Sequence, residues 1–384
     1  MSFQDFNLHP ALMQGVQGQG YEQPTPIQLK SIPPIMEGRD IVGLAQTGTG
    51  KTAAFLLPVL HRLMQLPKGK IGALVICPTR ELAEQICEAV DDLGKYTGLK
   101  SIAVYGGVGM EQQVLRLRRG VEIVVACPGR LLDHIWKGTI DLSSVQMLVI
   151  DEADRMFDMG FLPDIKNVLK CLPQKHQTLL FSATMPEDIR RLTRDALHTP
   201  VTIQIGRTAP AATVCHALYP VKQHLKGALL IEFLKRNRTG AVLVFTRTKR
   251  RADRVALQLK RAGHKAAPLH GDLAQNKRQF TLDAFRSGSI KILVATDIAA
   301  RGIDILTISH VINYDMPESV DAYTHRIGRT GRVEQTGDAL TFVTQEDAGL
   351  VREIEKSLQS PLERKVLNGF DYTKPAPATA VHAR

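Results

Sequence analysis

The sequence predicts an α/β protein built from two tandem domains, each a mostly parallel β-sheet flanked by helices. Strand-length apolar runs recur through both halves, and segments with helical periodicity separate them. The runs are continuously apolar rather than alternating, which is typical of strands buried on both faces of a parallel sheet. A stretch of small residues without periodicity interrupts this alternation near residue 207 and predicts a linker.

The first half contains five predicted strands, at 41–45, 73–77, 123–127, 147–150 and 178–181. A helix is predicted over 80–95, because Leu82, Ile86, Val90 and Leu93 fall on one face. The second half repeats the pattern with runs at 241–246, 292–296, 311–314 and 340–343. We therefore predict domains over 1–206 and 214–369, a linker over 207–213 and a disordered tail over 370–384.

The first apolar run leads into the segment AQTGTGKT, residues 45–52, and then into a predicted helix over 53–65. A glycine-rich turn between a strand and a helix N-terminus forms a phosphate site, in which backbone N–H groups point at the anion. Lys51 would reach the β- and γ-phosphates, and the Thr52 hydroxyl would ligate Mg²⁺. Gly48 and Gly50 would carry the unusual backbone conformations, so that Ala45 is tolerated at the first position. The predicted nucleotide contacts in this loop are Thr47, Gly48, Thr49, Gly50, Lys51 and Thr52. The alternative is a glycine-rich turn with an incidental lysine.

Two other segments supply groups that suit a bound nucleotide. Asp151 directly follows the fourth strand and is placed to hold Mg²⁺, while Glu152 beside it would act as general base on the attacking water. Near the N-terminus, the Gln28 amide can both donate to and accept from an adenine edge, and Tyr21 is an aromatic that would stack on the base. The alternatives are a solvated acidic turn and a structured N-terminal arm.

The positive charge is concentrated in the second half. Residues 1–207 hold 22 Lys and Arg against 21 Asp and Glu, and residues 208–384 hold 27 against 17, which together give the net charge of +11. This balance favours a polyanionic partner, nucleic acid before membrane, although a solvated basic face is an equal alternative. Arg326 and Arg329 lie three residues apart with no phosphate loop of their own, so we expect both to act on a γ-phosphate held by the first half. The alternative is direct contact with nucleic acid.

Composition excludes several classes of protein. No uninterrupted apolar run reaches the ~18 residues that a membrane span needs, and the N-terminus lacks a signal-peptide pattern. Five cysteines without a C-x-x-C pair argue against a disulfide framework and a zinc site. We expect a cytoplasmic monomer without a membrane partner.

In order along the chain, these motifs resemble those of the DEAD-box family of ATP-dependent RNA helicases, in a bacterial and RhlE-like form. The resemblance covers residues 3–370 and includes the segments 20–28, 45–52, 78–85, 151–154, 182–184, 295–304 and 325–332. It implies two RecA-like domains that use ATP and Mg²⁺ and bind RNA with little sequence preference.

The resemblance also implies roles for residues that spacing alone does not assign. Gly302 and Asp304 would complete the nucleotide site, and Ser182 and Thr184 would couple hydrolysis to strand separation. The implied RNA contacts are Pro78, Thr79, Arg80, Gly107, Pro128, Gly129, Arg130, Arg247 and Thr296. Cys127 stands where the family usually has a threonine, which replaces a hydroxyl donor by a thiol.

The implied activity is RNA-stimulated ATP hydrolysis with local unwinding or remodelling of short RNA duplexes or RNA–protein complexes. An ATP-gated RNA clamp with little strand separation uses the same sites and stays open as an alternative. A translocase on double-stranded DNA is a second alternative, for which the sequence contains no sign of processive machinery.

Overall fold

The computed structural model describes residues 2–45, 48–205, 214–237, 239–300, 308–330 and 337–376. The chain divides into two compact units, Met1–Arg207 and Thr208–Arg384. Each unit contains a parallel sheet with helices on both faces, as predicted. The predicted linker over 207–213 lies outside the described residues.

In the first unit, seven described strands form a sheet in the order β3-β4-β2-β5-β6-β1-β7, with every pair parallel. The strands are β1 (Ile41–Leu44), β2 (Ala73–Ile76), β3 (Ser101–Val104), β4 (Ile123–Ala126), β5 (Met147–Ile150), β6 (Gln177–Ser182) and β7 (Val201–Gln204). A 3-10 helix (Phe3–Phe6) precedes the helices α1 (Pro10–Gly18), α2 (Pro26–Met36), α3 (Lys51–Leu63), α4 (Arg80–Leu93), α5 (Met110–Arg118), α6 (Pro128–Trp136), α7 (Ala153–Asp158), α8 (Leu162–Leu169) and α9 (Glu187–Ala196).

In each central strand, successive side chains point to opposite faces of the sheet and pack into a different hydrophobic core. Every position is therefore buried, which explains the continuous apolar runs. In β2, Ala73 and Val75 pack into the core on one face of the sheet, whereas Leu74 and Ile76 pack into the core on the other. The carboxyl ends of the parallel strands meet at one edge of the sheet, which we call the carboxyl edge. The loops that follow the strands bring their polar residues together there.

The second unit repeats this architecture in the order β10-β11-β9-β12-β13-β8-β14, again with parallel pairs among the described strands. The strands are β8 (Val214–Pro220), β9 (Ala241–Phe245), β10 (Ala266–Leu269), β11 (Ile292–Ala295), β12 (Ile308–Asn313), β13 (Gly337–Val343) and β14 (Glu363–Arg364). The helices are α10 (Lys226–Arg236), α11 (Lys249–Arg261), α12 (Gln275–Arg286), α13 (Asp297–Ala300), α14 (Val320–Ile327) and α15 (Ala348–Leu358), with 3-10 turns at Gln223–Leu225 and Gln345–Asp347.

The sequence patterns located the central strands and missed several peripheral ones. Strands β3, β7, β8, β10 and β14 were not predicted. Strands β3 and β7 are the two outermost strands of the first sheet. Their side chains are alternately or partly buried, so these strands lack a continuous apolar run. Helix α3 begins at Lys51, two residues before the predicted start, because Gly50 already serves as its N-cap.

Part of the expected disordered tail is ordered, so the expectation for residues 370–376 was wrong. Phe370 and Tyr372 pack against the apolar core between β8, β9 and α10, with their rings edge to face at 4.9 Å. The Tyr372 hydroxyl accepts a hydrogen bond of 2.8 Å from the Leu367 amide. Aromatic burial outweighs the polar composition that suggested disorder. Residues 377–384 lie outside the described part of the chain. No helix among the described residues is both long and apolar enough to span a membrane.

Candidate functional site

The phosphate loop joins β1 to α3 at the carboxyl edge of the first sheet. Gly48 and Gly50 have positive φ of 84° and 91°, in agreement with the expectation that these glycines carry the unusual conformations. Lys51 is buried and its Nζ donates a 2.8 Å hydrogen bond to the Ala45 carbonyl, so the ammonium lies over the loop. An ammonium has three donors, and two are therefore left for phosphate oxygens. Thr47 lies outside the described residues.

The N-terminal segment contacts this loop directly. The Gln28 side chain is 3% exposed, and its Nε2 donates to the Gly50 carbonyl at 3.1 Å. Its Oε1 accepts from the Thr25 amide at 2.8 Å and caps α2, while the Thr25 hydroxyl donates to the Thr49 carbonyl at 2.8 Å. A Cβ at Gly50 would lie 2.6 Å from the Gln28 amide nitrogen, so this close approach requires glycine. Gln28 thus braces the phosphate loop, a function that the sequence did not reveal.

Tyr21, the second predicted base contact, lies on the surface of the same N-terminal segment. Its ring is 41% exposed and stacks on Phe3 at 6.0 Å between centroids. Phe3 itself is buried in the core and fixes the orientation of the tyrosine.

Asp151 and Glu152 follow β5 at the same edge. Burial raises the pKa of Asp151 to about 6, although the nearby Lys51 ammonium acts in the opposite direction. Oδ1 of Asp151 accepts from the Glu152 amide at 2.9 Å. A buried carboxylate and a threonine hydroxyl at a helix N-terminus are hard oxygen donors, and this donor set fits Mg²⁺. The cation would also relieve the charge that burial penalises at Asp151.

Glu152 adopts a left-handed backbone conformation with φ of 53°, which is uncommon for a residue with a side chain. Its Oε2 accepts a 2.8 Å bond from Nη1 of Arg155, and both side chains are buried. Such strain persists only where the surroundings enforce it, and it is concentrated at functional sites. The conformation directs this carboxylate away from the strand and toward Arg155.

Asp154 links this segment to the loop after β6. Its carboxylate Oδ2 accepts from the Ala183 amide at 3.1 Å, the Thr184 amide at 2.8 Å and the Thr184 hydroxyl at 3.0 Å. Its own amide donates to the buried Ser182 hydroxyl at 3.2 Å. Ser182 and Thr184, the predicted coupling residues, therefore share one network with the acidic segment. Sequence analysis assigned no role to Asp154, although it lies in the acidic segment 151–154 that was singled out.

Three loops that the resemblance assigned to RNA converge at this edge. Gly107 has φ of 84°, and its Cα faces the Arg80 guanidinium so closely that a Cβ would overlap it. Nη1 of Arg130 donates to the Val108 carbonyl at 3.1 Å, and its Nε pairs with Asp133 at 3.3 Å. The loops after β2, β3 and β4 thus present two guanidinium groups, with Arg80 beside Gly107 and Arg130 beside Gly106 and Val108.

The helices that follow these loops add backbone donors at the same edge. Thr79 caps α4, and its hydroxyl accepts from the Leu82 amide at 3.4 Å. Pro128 occupies the first turn of α6, and Gly129 next to it is exposed. Helix N-termini favour anions, so both suit phosphates. Cys127, the N-cap of α6, makes no side-chain capping bond and is half-buried, whereas Cys77 is fully buried with its pKa raised by burial.

In the second unit, Arg326 is held by contacts within the unit. Nε and Nη2 donate to the two Asp297 oxygens at 2.6 Å each, and Nη1 donates to Asn313 Oδ1 at 3.2 Å and to the Asp315 carbonyl at 2.7 Å. The guanidinium also lies 5.0 Å from the Phe245 ring centroid. These contacts use four of its five N–H donors. Arg329, one turn later, is 5% exposed.

The remaining predicted residues of this unit lie at or near strand ends. Arg247 follows β9 with an exposed side chain, and its amide donates to Asp315 Oδ2 at 2.9 Å. Thr296 follows β11 and is largely buried, with its amide bonded to the Leu269 carbonyl at 3.3 Å. Gly302 and Asp304 lie outside the described residues.

A parallel α/β unit with a phosphate loop, an adjacent acidic strand end and a second unit of the same fold defines a nucleotide-hydrolysing protein of the RecA-like class. The chain matches the DEAD/DEAH box helicase family over residues 25–192 and the helicase conserved C-terminal domain over 225–334. The chain belongs to the DEAD-box helicase family.

Named relatives and solved structures agree with this assignment. The chain is 44% identical over 363 residues to the ATP-dependent RNA helicase CshA of Listeria monocytogenes, covering 94% of this chain and 69% of that protein. It is 42% identical to the DEAD-box ATP-dependent RNA helicase CshA of Bacillus subtilis, covering 95% and 74%. Among solved structures it is similar to S. cerevisiae Dbp5 bound to RNA and ADP BeF3, with 30% identity, 95% of both chains covered and a TM-score of 0.87. A DEAD box protein from Methanococcus jannaschii matches with 35% identity and a TM-score of 0.56, covering 95% of this chain and 99% of that one.

Proposed function

We propose that this protein is an ATP-dependent RNA helicase, which hydrolyses ATP in an RNA-stimulated manner and locally unwinds or remodels short RNA duplexes or RNA–protein complexes. One observation supports this most strongly. The phosphate loop, the acidic segment and three convergent loops with guanidinium groups lie at the carboxyl edge of one sheet, with Asp154 joining the acidic segment to Thr184. This arrangement supports hydrolysis of a nucleotide next to a surface that suits a phosphate backbone.

We propose the following division of roles at the nucleotide. Gly48 to Lys51 bind the phosphates, Gln28 and Tyr21 hold the adenine, and Glu152 takes the proton of the attacking water. Thr52 and Asp151 would hold Mg²⁺, which when bound neutralises charge that develops on the phosphates. Thr47, Gly302 and Asp304 stay predictions for this site.

The two arginines of the second unit receive different roles. Arg329 supplies positive charge to the γ-phosphate in the transition state. We revise the role of Arg326, because four of its donors are used by Asp297, Asn313 and the Asp315 carbonyl. It holds α14, the helix that ends just before Arg329, instead of contacting phosphate itself.

RNA would be bound mainly through its phosphates and 2′-hydroxyls, with slight sequence preference. The contacts are those around Arg80, Gly107 and Arg130 in the first unit and Arg247 and Thr296 in the second. Pro78, Thr79, Pro128 and Gly129 shape the loops and helix starts that bear these contacts. We further propose that the protein is a cytoplasmic monomer, with residues 1–206 as the ATP-binding domain and 214–369 as the second helicase domain.

A strand-displacement assay on a short RNA duplex, together with ATPase measurements, tests this proposal. We expect ATP-dependent separation of the strands and ATP turnover that RNA stimulates more than DNA of equal length. RNA-stimulated turnover without strand separation would identify an ATP-gated RNA clamp. Stimulation by double-stranded DNA and not by RNA would contradict the proposal and favour a translocase.

A further inference from the structure

A groove follows the amino ends of the strands in the first unit, at the edge of the sheet opposite the phosphate loop. Three cavities of about 720, 330 and 420 Å³ form it. The first two share Gln146 and Lys175, and the last two share Lys70 and Ser144, so they are continuous along the edge. We call this continuous surface the amino-edge groove.

The groove extends across most of the sheet. Its lining includes the residues just before β1, β2, β4, β5 and β6, which are Asp40, Gly72, Glu122, Gln146 and His176, and Thr199 near the start of β7. From β7 to β4 there are five inter-strand steps in the sheet order. At ~4.8 Å a step the groove is about 24 Å long, which is enough for several nucleotides of a single strand.

Unpaired cations line the groove. Arg39, Arg62, Lys70, Arg118 and Lys175 are all exposed, and none forms an ion pair or a side-chain hydrogen bond with the described residues. The first unit as a whole is close to neutral, so this concentration of positive charge is local.

The lining of the three cavities contains six Lys and Arg side chains against three carboxylates, so the groove has a net positive charge, and backbone amides hold two of the carboxylates in place. Asp40 accepts from the amides of Thr178 and His198 at 2.8 and 2.7 Å. Glu122 accepts from the amides of Gly69 and Lys100 at 2.6 and 2.7 Å. The Ser143 hydroxyl and amide, and to a smaller extent the Lys70 ammonium, lower the pKa of Asp141.

A buried acceptor provides an independent indication of a ligand. Gln177 lines the first cavity and is 6% exposed. Its Nε2 donates to the carbonyls of Ile35 and Arg39 at 3.0 and 2.6 Å, which fixes the amide. Its Oε1 is buried and has no partner among the described residues. A buried acceptor without a donor is costly, so this position suits a ligand that donates a hydrogen bond.

We propose that the amino-edge groove is a second RNA-binding site, which holds single-stranded RNA that flanks the segment bound at the carboxyl edge. RNA combines regularly spaced phosphates for the cations with 2′-hydroxyl donors for Gln177. An acidic peptide also carries donors in its backbone amides, and RNA is favoured because the chain belongs to the DEAD-box helicase family, whose named relatives are RNA helicases. The helices that cover the sheet are up to 14 residues long in α4, about 21 Å, so a flanking strand of several nucleotides can pass over them from one edge to the other. This proposal rests on the proposed function in assuming that RNA is the substrate.

The test compares RNA lengths in the full chain. Affinities for unstructured 8- and 30-nucleotide oligouridines are measured by fluorescence anisotropy with a non-hydrolysable ATP analogue. The variant K70E/R118E/K175E reverses three groove charges. The control K260E/R352E/K356E makes the same charge change on exposed helix positions of the second unit. Thermal unfolding confirms that both variants are folded.

We expect the groove variant to lose at least tenfold in affinity for the 30-mer and to bind the 8-mer like the wild type. Its log–log salt slope on the 30-mer should fall by about 2, from three lost phosphate contacts at ~0.7 each. The control variant should change neither. Equal losses for both RNAs, or equal behaviour of groove and control variants, would overturn the proposal and leave the groove to an acidic protein partner or to solvent.

ATP turnover stimulated by the 8-mer separates this inference from the proposed function. If the 8-mer stimulates ATP turnover equally in the wild type and the groove variant while their affinities for the 30-mer differ, both the groove proposal and the proposed function are supported. If no RNA stimulates turnover in the wild type, the proposed function fails on its own account.

Discussion

Replacing Gln28 by alanine tests whether this amide braces the phosphate loop, reads adenine, or does both. The change removes the acceptor that caps the Thr25 amide and the donor to the Gly50 carbonyl. At about 1 kcal/mol for each of two partly buried hydrogen bonds, we expect the free energy of unfolding to fall by about 2 kcal/mol. Gln17→Ala, at an exposed position of α1, is the matched control and should change stability by less than ~0.5 kcal/mol.

Nucleotide binding separates the two functions of Gln28. A loosened loop weakens the binding of ATP and GTP alike, because both present the same phosphates. Loss of the adenine contact weakens the binding of ATP but not of GTP, and so reduces the preference for ATP over GTP. The variant Gln28→Glu keeps an acceptor for Thr25 but sets a carboxylate oxygen against the Gly50 carbonyl, so it isolates the donor.

Titration calorimetry with both nucleotides and urea unfolding provide the measurements. An unfolding free energy equal to that of the wild type would refute the bracing. Equal use of ATP and GTP by the wild-type protein would refute the adenine reading, whatever the variants do.

Four further predictions concern the catalytic segment and its couplings. Glu152→Gln should abolish ATP turnover while the ATP–RNA complex accumulates, and RNA release as fast as in the wild type would contradict a general base. Arg329→Ala should lower kcat by roughly 10³-fold. Arg326→Ala should instead lower the unfolding free energy by about 3 kcal/mol or more, because Asp297 loses its partner. An Arg326→Ala protein as stable as the wild type would argue against a positioning role. Asp151→Asn should match the wild type in stability below pH ~4 and exceed it by up to about 3 kcal/mol above pH 6. The reason is that burial raises the pKa of Asp151 to about 6, so ionisation of the buried acid destabilises the fold as the pH rises through that range. Identical stability–pH profiles of the two proteins would show that ionisation of Asp151 does not destabilise the fold. Thr184→Val should retain RNA-stimulated ATP turnover and lose strand displacement, and parallel loss of both activities would show that Thr184 serves hydrolysis itself.

The central sheet strands and the phosphate loop were predictable because each depends on local sequence. A strand buried on both faces must be apolar at every position, as in residues 73–76, and no tertiary information is needed to detect it. Edge strands such as β3 were missed, because a partly exposed strand of four residues has no distinctive pattern.

Residue types predicted which groups suit a nucleotide, but not which of their atoms are already bonded within the protein. Arg326 and Arg329 look equivalent in sequence, and the bonds of Arg326 to Asp297 and Asn313 could not be predicted from spacing. Gln28 was predicted as a base contact from its amide chemistry, yet the same amide bonds to Gly50, 22 residues away. Such pairings depend on the tertiary fold and leave no trace in spacing.

Asp154 connects the acidic segment 151–154 to the loop after β6 through hydrogen bonds. The strained Glu152 and the carboxylate of Asp154 lie on one turn, so a movement of the segment that begins at Asp151 also moves the acceptor of three hydrogen bonds from residues 183 and 184. Bonds to a charged acceptor are stronger than neutral ones, at about 1.5–3 kcal/mol each, so the loop after β6 follows the carboxylate more readily than it breaks from it. If Asp151 and Glu152 act on the nucleotide as proposed, these bonds would connect the γ-phosphate to the loop after β6 without requiring the strands of the sheet to move.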